Sequence, residues 1–245
     1  RDRIWWASTA GRTGRTTPTM EANPVGDVFL RLINAQLDIG FGQPILWREV
    51  VGNLFGLASA LWGMRRRVMA WPIGILGNVL LFTVFLGGVF ATPQDRDLWG
   101  QAGRQVFFLV TSAYGWWRWA RFRSASAESF GVEPGWADAR GRLQLLIAGA
   151  VGIAGFYVVL RALGSWGPLA DAWIFTGSIL ATYGMARGWT EFWLIWVAVD
   201  LVGVPLLWSA GYYPSALMYA FYGLFCLVGF IAWRRTQLRE PATSD

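Results

Sequence analysis

Long apolar runs separated by short clusters of arginine organise this chain. Crossing about 30 Å of hydrocarbon takes roughly 20 mostly apolar residues. Seven stretches qualify, approximately Glu49–Met64, Val68–Phe90, Trp99–Trp119, Leu143–Leu163, Asp171–Met185, Glu191–Trp208 and Ser215–Trp233. The first and fifth are short and carry glycine, so their ends are loosely defined. Ahead of them, Pro24–Ile39 has apolar residues at helical spacing but also Asp27, Arg31 and Asp38. That mixture predicts a helix lying in the interface rather than crossing it. Arg1–Thr19 is polar and Gly/Thr-rich with no apolar core, so it is not read as a signal peptide. Met20 reads as a natural start, and residues 1–23 as a disordered extension.

Arginine placement sets an orientation. Arg65, Arg66 and Arg67 follow the first span, and Arg118, Arg121, Arg123, Arg140 and Arg142 lie between the third and fourth. Arg187 sits between the fifth and sixth, and Arg234, Arg235 and Arg239 follow the seventh. All four clusters fall on one side, which the positive-inside rule makes cytoplasmic. The amino terminus is expected outside and the carboxyl terminus inside. A weak internal repeat runs through the spans. Gly63-Met64 recurs as Gly184-Met185, Trp71 with Asn78 recurs as Trp193 with Asp200, and Gly115–Trp119–Arg121 recurs as Gly229–Trp233–Arg234. The expected organisation follows: an interfacial helix and linker over 24–47, a three-helix unit over 48–121, and a cytoplasmic loop with a linker helix over 122–168. A second three-helix unit covers 169–235 and a solvated tail 236–245. Seven transmembrane helices in a 3+1+3 parallel repeat make an all-α membrane protein, an arrangement that transporters use.

Composition narrows the chemistry. Of the 245 residues, 55% are hydrophobic and 15% charged, with mean hydropathy +0.38 and net charge +6. Soluble domains carry about 25% charge. The basic residues are all arginine and form no single patch, so no nucleic-acid partner is expected. Without lysine there is no retinal or pyridoxal Schiff base. Without histidine there is no imidazole base or imidazole metal ligand. Cys226 stands alone in an apolar run and is expected to pack. No enzyme, cofactor or metal site is expected, because neither a nucleophile–base pair nor a ligand cluster is available.

Candidate ligand-binding residues gather on helix faces. At 100° per residue, Gln101, Gln105, Ser112, Trp116 and Trp119 fall within about 60° of one another on the third span. Amides deep in hydrocarbon cost several kcal/mol unless bonded, so this wall should face a cavity or the bundle interior. On the sixth span Trp193, Trp196 and Asp200 share a face, and an acid mid-span is a functional candidate. Trp71 and Asn78 lie seven apart on the second span, and Tyr219 and Tyr222 one turn apart on the last. Glu191 reads as a first-turn acid that favours its helix N-terminus. Indole faces hold cations and stack on rings, while Gln, Asn and Asp read hydroxyls and carboxamides. Such a cage suits a flat polar ring joined to a polyol. It does not suit a phosphate, since no arginine is read as standing mid-span to balance the charge, which argues against nucleotides.

Three segments carry a family resemblance. Trp71-Pro72-Ile73-Gly74-Ile75 with Asn78, Tyr114-Gly115-Trp116-Trp117-Arg118-Trp119, and Glu191-Phe192-Trp193 with Asp200 resemble the PnuC family of nicotinamide riboside transporters, in the family's order from about Glu49 to Arg235. The resemblance implies a seven-span fold like that of a full-length SWEET, assembled as a homotrimer in the cytoplasmic (inner) membrane. It implies uniport of nicotinamide riboside by facilitated diffusion for NAD biosynthesis, with trapping by a separate cytoplasmic riboside kinase. By this analogy Gln101, Gln105, Trp116 and Trp119 line the site with Asn78, Trp193, Trp196 and Asp200; helical spacing adds Trp71, Tyr219 and Tyr222 as candidate substrate-binding residues. Thiamine or another flat vitamin is the alternative cargo.

Overall fold

A computed structural model describes residues 35–37, 40, 43–64, 67–121 and 135–239. Among these residues there are seven helices: α1 (Trp47–Met64), α2 (Ala70–Phe85), α3 (Trp99–Arg121), α4 (Ala139–Ala162), α5 (Pro168–Ala186), α6 (Glu191–Ser209) and α7 (Tyr213–Arg239). All seven expected spans are therefore helical. The second is shorter than expected, because the chain turns at Gly87 and Gly88, where Asp97 accepts hydrogen bonds from the amides of Gly88 and Val89. By length and apolar composition α4, α6 and Tyr213–Arg235 of α7 are each able to cross a membrane, and α2 is a shorter apolar helix. Their lipid-facing character is visible in Leu146, Leu201 and Val228, which are 72%, 72% and 66% exposed. Most of the expected interfacial helix lies outside the described residues. Its described end is extended instead: Gln36–Leu37 (β1) pairs antiparallel with Ile45–Leu46 (β2) just before α1.

Local sequence sets the helix ends. Asp138 caps α4 by accepting from the Gly141 amide at 2.7 Å, which satisfies a donor with no partner inside the helix. Pro168 opens α5, at a position where a missing N–H costs nothing. At the ends of α5 and α6, Gly188 and Gly211 take φ of +71° and +85°. There the Trp189 amide reaches back to the Gly184 carbonyl, and the Tyr212 amide to the Leu207 carbonyl, both at 2.9 Å. This left-handed termination reverses the chain within a few residues and makes α5–α6 and α6–α7 tight antiparallel pairs.

Packing divides the bundle into two triplets. In one, α2 lies between α1 and α3; in the other, α6 lies between α5 and α7; α4 packs chiefly on α5. The triplets meet along two seams, α3 against α5 and α1 against α7. A buried core runs through this region, including Val84, Phe85, Leu98, Ile174, Val199, Leu207, Tyr212 and Tyr219.

The end of the bundle where α1, α3, α5 and α7 begin is closed by polar ties between loops. Arg96 donates to the Ser209 carbonyl at 2.6 Å, Tyr212 donates to the Arg96 carbonyl at 3.0 Å, and Gln94 donates to the Pro44 carbonyl at 3.0 Å. Burial, then the nearby charge of Glu49, pushes the Tyr212 hydroxyl above its ordinary range. Tyr212 therefore remains a donor at physiological pH.

Candidate functional site

Two buried carboxylates tie the seams. Asp171, the fourth residue of α5, is fully buried and accepts from the amides of Gly100 and Gln101 at 2.8 and 3.0 Å, with Ser165 also donating to it. It caps the start of α3 from across the α3–α5 seam. At the other seam Glu49 of α1, also fully buried, accepts from the Ser215 amide at 3.0 Å, and Asn53 donates to the Ser215 hydroxyl at 3.0 Å. Each triplet thus caps the third helix of the other, with a charge at the positive end of the helix dipole. The spacing is the same in both cases: Glu49 and Asp171 are 122 residues apart, as are Trp71 and Trp193, while Gln101 and Ser215 are 114 apart, as are Gly115 and Gly229. The tryptophans behave alike. A methyl group built on Gly115 would meet the Trp71 ring at 2.4 Å, and one on Gly229 would meet the Trp193 ring at 2.5 Å.

Capping by Asp171 fixes the register of α3, and α3 carries the polar wall. Gln101 and Gln105 are 0% and 1% exposed. The Gln101 Oε1 accepts from the Tyr219 hydroxyl at 2.7 Å, which links α3 to α7. Gln101 Nε2 and Gln105 Nε2 are buried without a hydrogen-bond partner. From α6, Asp200 is 6% exposed with Oδ2 unpartnered, and Trp193 Nε1 is a buried unpartnered donor. Asp200 faces Gly223 of α7, where a methyl group would lie 3.3 Å from its Cβ. Trp196 is half-buried beside Phe108 of α3, ring centroids 6.2 Å apart. Buried amides and carboxylates are normally satisfied. Several left open on neighbouring helices leave hydrogen-bonding capacity for a solute.

Other expected residues sit differently. Trp116 is 44% exposed and does not join the buried set. The side chain of Trp119 lies outside the described residues. Trp71 packs on Gly115, Tyr222 reaches towards Gly56 with its hydroxyl 3.6 Å from a methyl built there, and Asn78 is half-buried on α2. Glu191 is a structural acid, accepting from the Ala137 amide at 3.1 Å and pairing with Arg142 at 2.9 Å.

One expectation is overturned. Arg104 stands inside α3, one turn after Gln101 and on the flank of the same wall, so the interior does contain a guanidinium. Its charge lies 4.6 Å from the centre of the Tyr219 ring and 5.4 Å from that of Phe108, and its Nε is buried and unpartnered. A counter-charge for a phosphate is therefore present in the interior. The signal was present in the sequence, since Gln101 and Arg104 are three apart and must share a face. Glu49 and Asp171 were also missed, because an acid near a helix start looks ordinary until its partner helix is known.

An apolar groove of about 650 Å³ lies between α4, α5 and α6, lined by Leu146, Ile153, Trp173, Leu180, Leu194 and Ala198 among others. On α6 its residues lie about 180° from Trp193, Trp196 and Asp200. That helix separates the groove from the polar set, so the groove is not the candidate site.

Comparison with known proteins establishes the family and the fold. A riboflavin/roseoflavin transporter, RibM of Streptomyces davaonensis, is 36% identical over 203 residues, covering 82% of this chain and 91% of that protein. The nicotinamide riboside transporter PnuC of Escherichia coli is 25% identical over 217 residues, covering 78% and 87%. A crystal structure of the vitamin B3 transporter PnuC superposes with a TM-score of 0.58 at 20% identity, covering 80% of this chain and 83% of that one, which shows a shared fold. These relatives are transporters, not enzymes. The sequence profile described as nicotinamide mononucleotide transporter matches residues 46–235, and the chain is a multi-pass membrane protein belonging to that transporter family.

Proposed function

We propose that this protein is a uniporter for a flat-ring vitamin carrying a polyol chain, with riboflavin the foremost cargo. The observation that carries this reading is the set of open hydrogen-bonding groups on Gln101, Gln105 and Asp200, buried beside aromatic rings where the triplets approach. A solute that stacks on indoles and satisfies those groups accounts for them. Riboflavin has both parts, a planar ring with several carbonyl and aza acceptors and a ribityl chain. The 36% identical relative, named for riboflavin and roseoflavin, supports the choice. A second reading, nicotinamide riboside, draws on the 25% identical relative and on Asp200, whose carboxylate suits a pyridinium.

The two triplets act in this proposal as halves of a 3+1+3 parallel repeat, α4 being the linker, and the site lies between them. Equivalent caps from Glu49 and Asp171, and equivalent ring contacts at Gly115 and Gly229, support a two-fold relation. Rocking of one half against the other would then expose the site alternately to each side. The amino terminus is placed outside and the carboxyl terminus inside, the protein forms a homotrimer, and a cytoplasmic kinase retains the cargo by phosphorylation. Asp200 is the one acid placed mid-span with the ligand groups, so no ion coupling is invoked. Titration of the purified protein with riboflavin, nicotinamide riboside, nicotinamide mononucleotide and thiamine, followed by liposome uptake, tests the reading. Saturable riboflavin binding with downhill uptake is the expected result, and absence of binding by any of the four would refute it.

A further inference from the structure

We infer that Arg104 sets the charge selectivity of the site, neutralising Asp200 so that the site favours a neutral, acceptor-rich ring over a cationic one; this rests on the riboflavin reading above. Arg104 and Asp200 come from different helices and different triplets, and both pack on the same face of α7. The guanidinium stacks over Tyr219, while Asp200 lies against Gly223, four residues on. Four helical residues span about 6 Å. The two groups therefore stand about one turn apart along α7, close enough for their charges to interact but without a direct ion pair, and each keeps an open atom, Arg104 Nε and Asp200 Oδ2.

Two consequences follow from this placement. The first is electrostatic. Asp200 alone would make the interior a counter-ion site, and in a low-dielectric setting a carboxylate about 5 Å from a bound cation changes affinity by about two orders of magnitude. Arg104 at comparable range cancels most of that attraction, and a cationic ring gains little. The second concerns hydrogen bonding. Around Tyr219 and Asp200 the buried open donors are Gln101 Nε2, Arg104 Nε and Gln105 Nε2, beside the buried open acceptor Asp200 Oδ2. The ligand that satisfies this set presents several acceptors and one N–H. An isoalloxazine does so through its two carbonyls, its aza nitrogens and its imide N–H, whereas a pyridinium carboxamide offers one carbonyl and a positive charge.

The test is equilibrium titration of the full-length purified protein, wild type and Arg104→Leu, with riboflavin and with nicotinamide riboside, read by flavin and tryptophan fluorescence. Melting temperatures are recorded alongside, and Arg104→Lys serves as the charge-keeping control. Arg104→Leu is expected to weaken riboflavin about 10- to 100-fold, through loss of a charged donor. It should strengthen nicotinamide riboside about tenfold or more, and adding Asp200→Asn should abolish that gain. Arg104→Lys should keep nicotinamide riboside weak. Should Arg104→Leu fail to fold, the inference is decided on Arg104→Gln, which removes the charge but keeps a donor, and for which the nicotinamide riboside gain is still required. Unchanged affinity for both compounds in a folded charge-free variant overturns the inference. A wild type that does not bind riboflavin overturns the cargo reading instead. The role of Arg104 is then decided by the nicotinamide riboside arm alone, where a gain on removing the charge supports it and no gain overturns it.

Discussion

Asp171→Ala tests the cap across the α3–α5 seam directly. In the native protein this carboxylate accepts from two backbone amides at the start of α3 and from Ser165, in a fully buried position. Removing it leaves two donors that have no helical partner by construction, and a buried donor left unsatisfied costs about 1–3 kcal/mol. Relief of the carboxylate's own desolvation offsets part of that cost. The net destabilisation is therefore about 2–4 kcal/mol. For a protein of this size each kcal/mol moves the midpoint by about 2–4 °C, so the melting temperature in detergent should fall by about 4–16 °C. Asp171→Asn keeps one acceptor oxygen and should lose about half as much. Glu49→Ala, which uncaps the Ser215 amide at the other seam, should also destabilise, by less because one donor is exposed rather than two. Since Gln101 follows the capped turn, Asp171→Ala should also weaken ligand binding, although residue 171 provides none of the open groups of the site. A melting temperature within 1 °C of wild type for Asp171→Ala, where the expected shift is about 4–16 °C, would refute the idea that the seams are held by these reciprocal caps.

Further expectations concern the site itself. Gly229→Ala places a methyl group 2.5 Å from the Trp193 ring. The overpacking should cost about 1–3 kcal/mol in thermal stability, and Gly115→Ala should do the same through Trp71. Gln105→Ala removes one ligand donor and should raise the dissociation constant of the cargo about 3- to 10-fold in a fluorescence titration. Trp196→Ala removes a ring facing Phe108 and should weaken binding about tenfold, whereas Trp116→Ala, at a 44% exposed position, should change it less than about threefold on the same scale. Equal effects of the two tryptophans would favour the wider wall read from helical spacing over the narrower buried set.

Where the solvent is lipid, periodic apolar patterning is close to decisive, because every backbone donor and acceptor must be satisfied within its own segment. The sequence therefore determined the seven helices and the polar faces of α3 and α6, with ends displaced by only a few residues where glycine and Asp97 turn the chain after α2. Gln101, Gln105 and Asp200 stood out as candidates for the same reason, a polar group in hydrocarbon being conspicuous, and all three side chains are buried. Tertiary structure alone decided which groups on those faces meet. Helical spacing gave Trp116 the same wall as Gln105, yet one side chain is exposed and the other buried, since a face about 60° wide is divided by whichever neighbour covers it. Arg104 falls inside the third span by sequence, but only the fold sets it over the Tyr219 ring of α7. Glu49 and Asp171 entered the sequence reading only as the starts of spans, and only the meeting of distant helices made each a cap for the other triplet. Periodicity is a property of one helix at a time, whereas charge neutralisation and capping between helices depend on distances that no single helix contains.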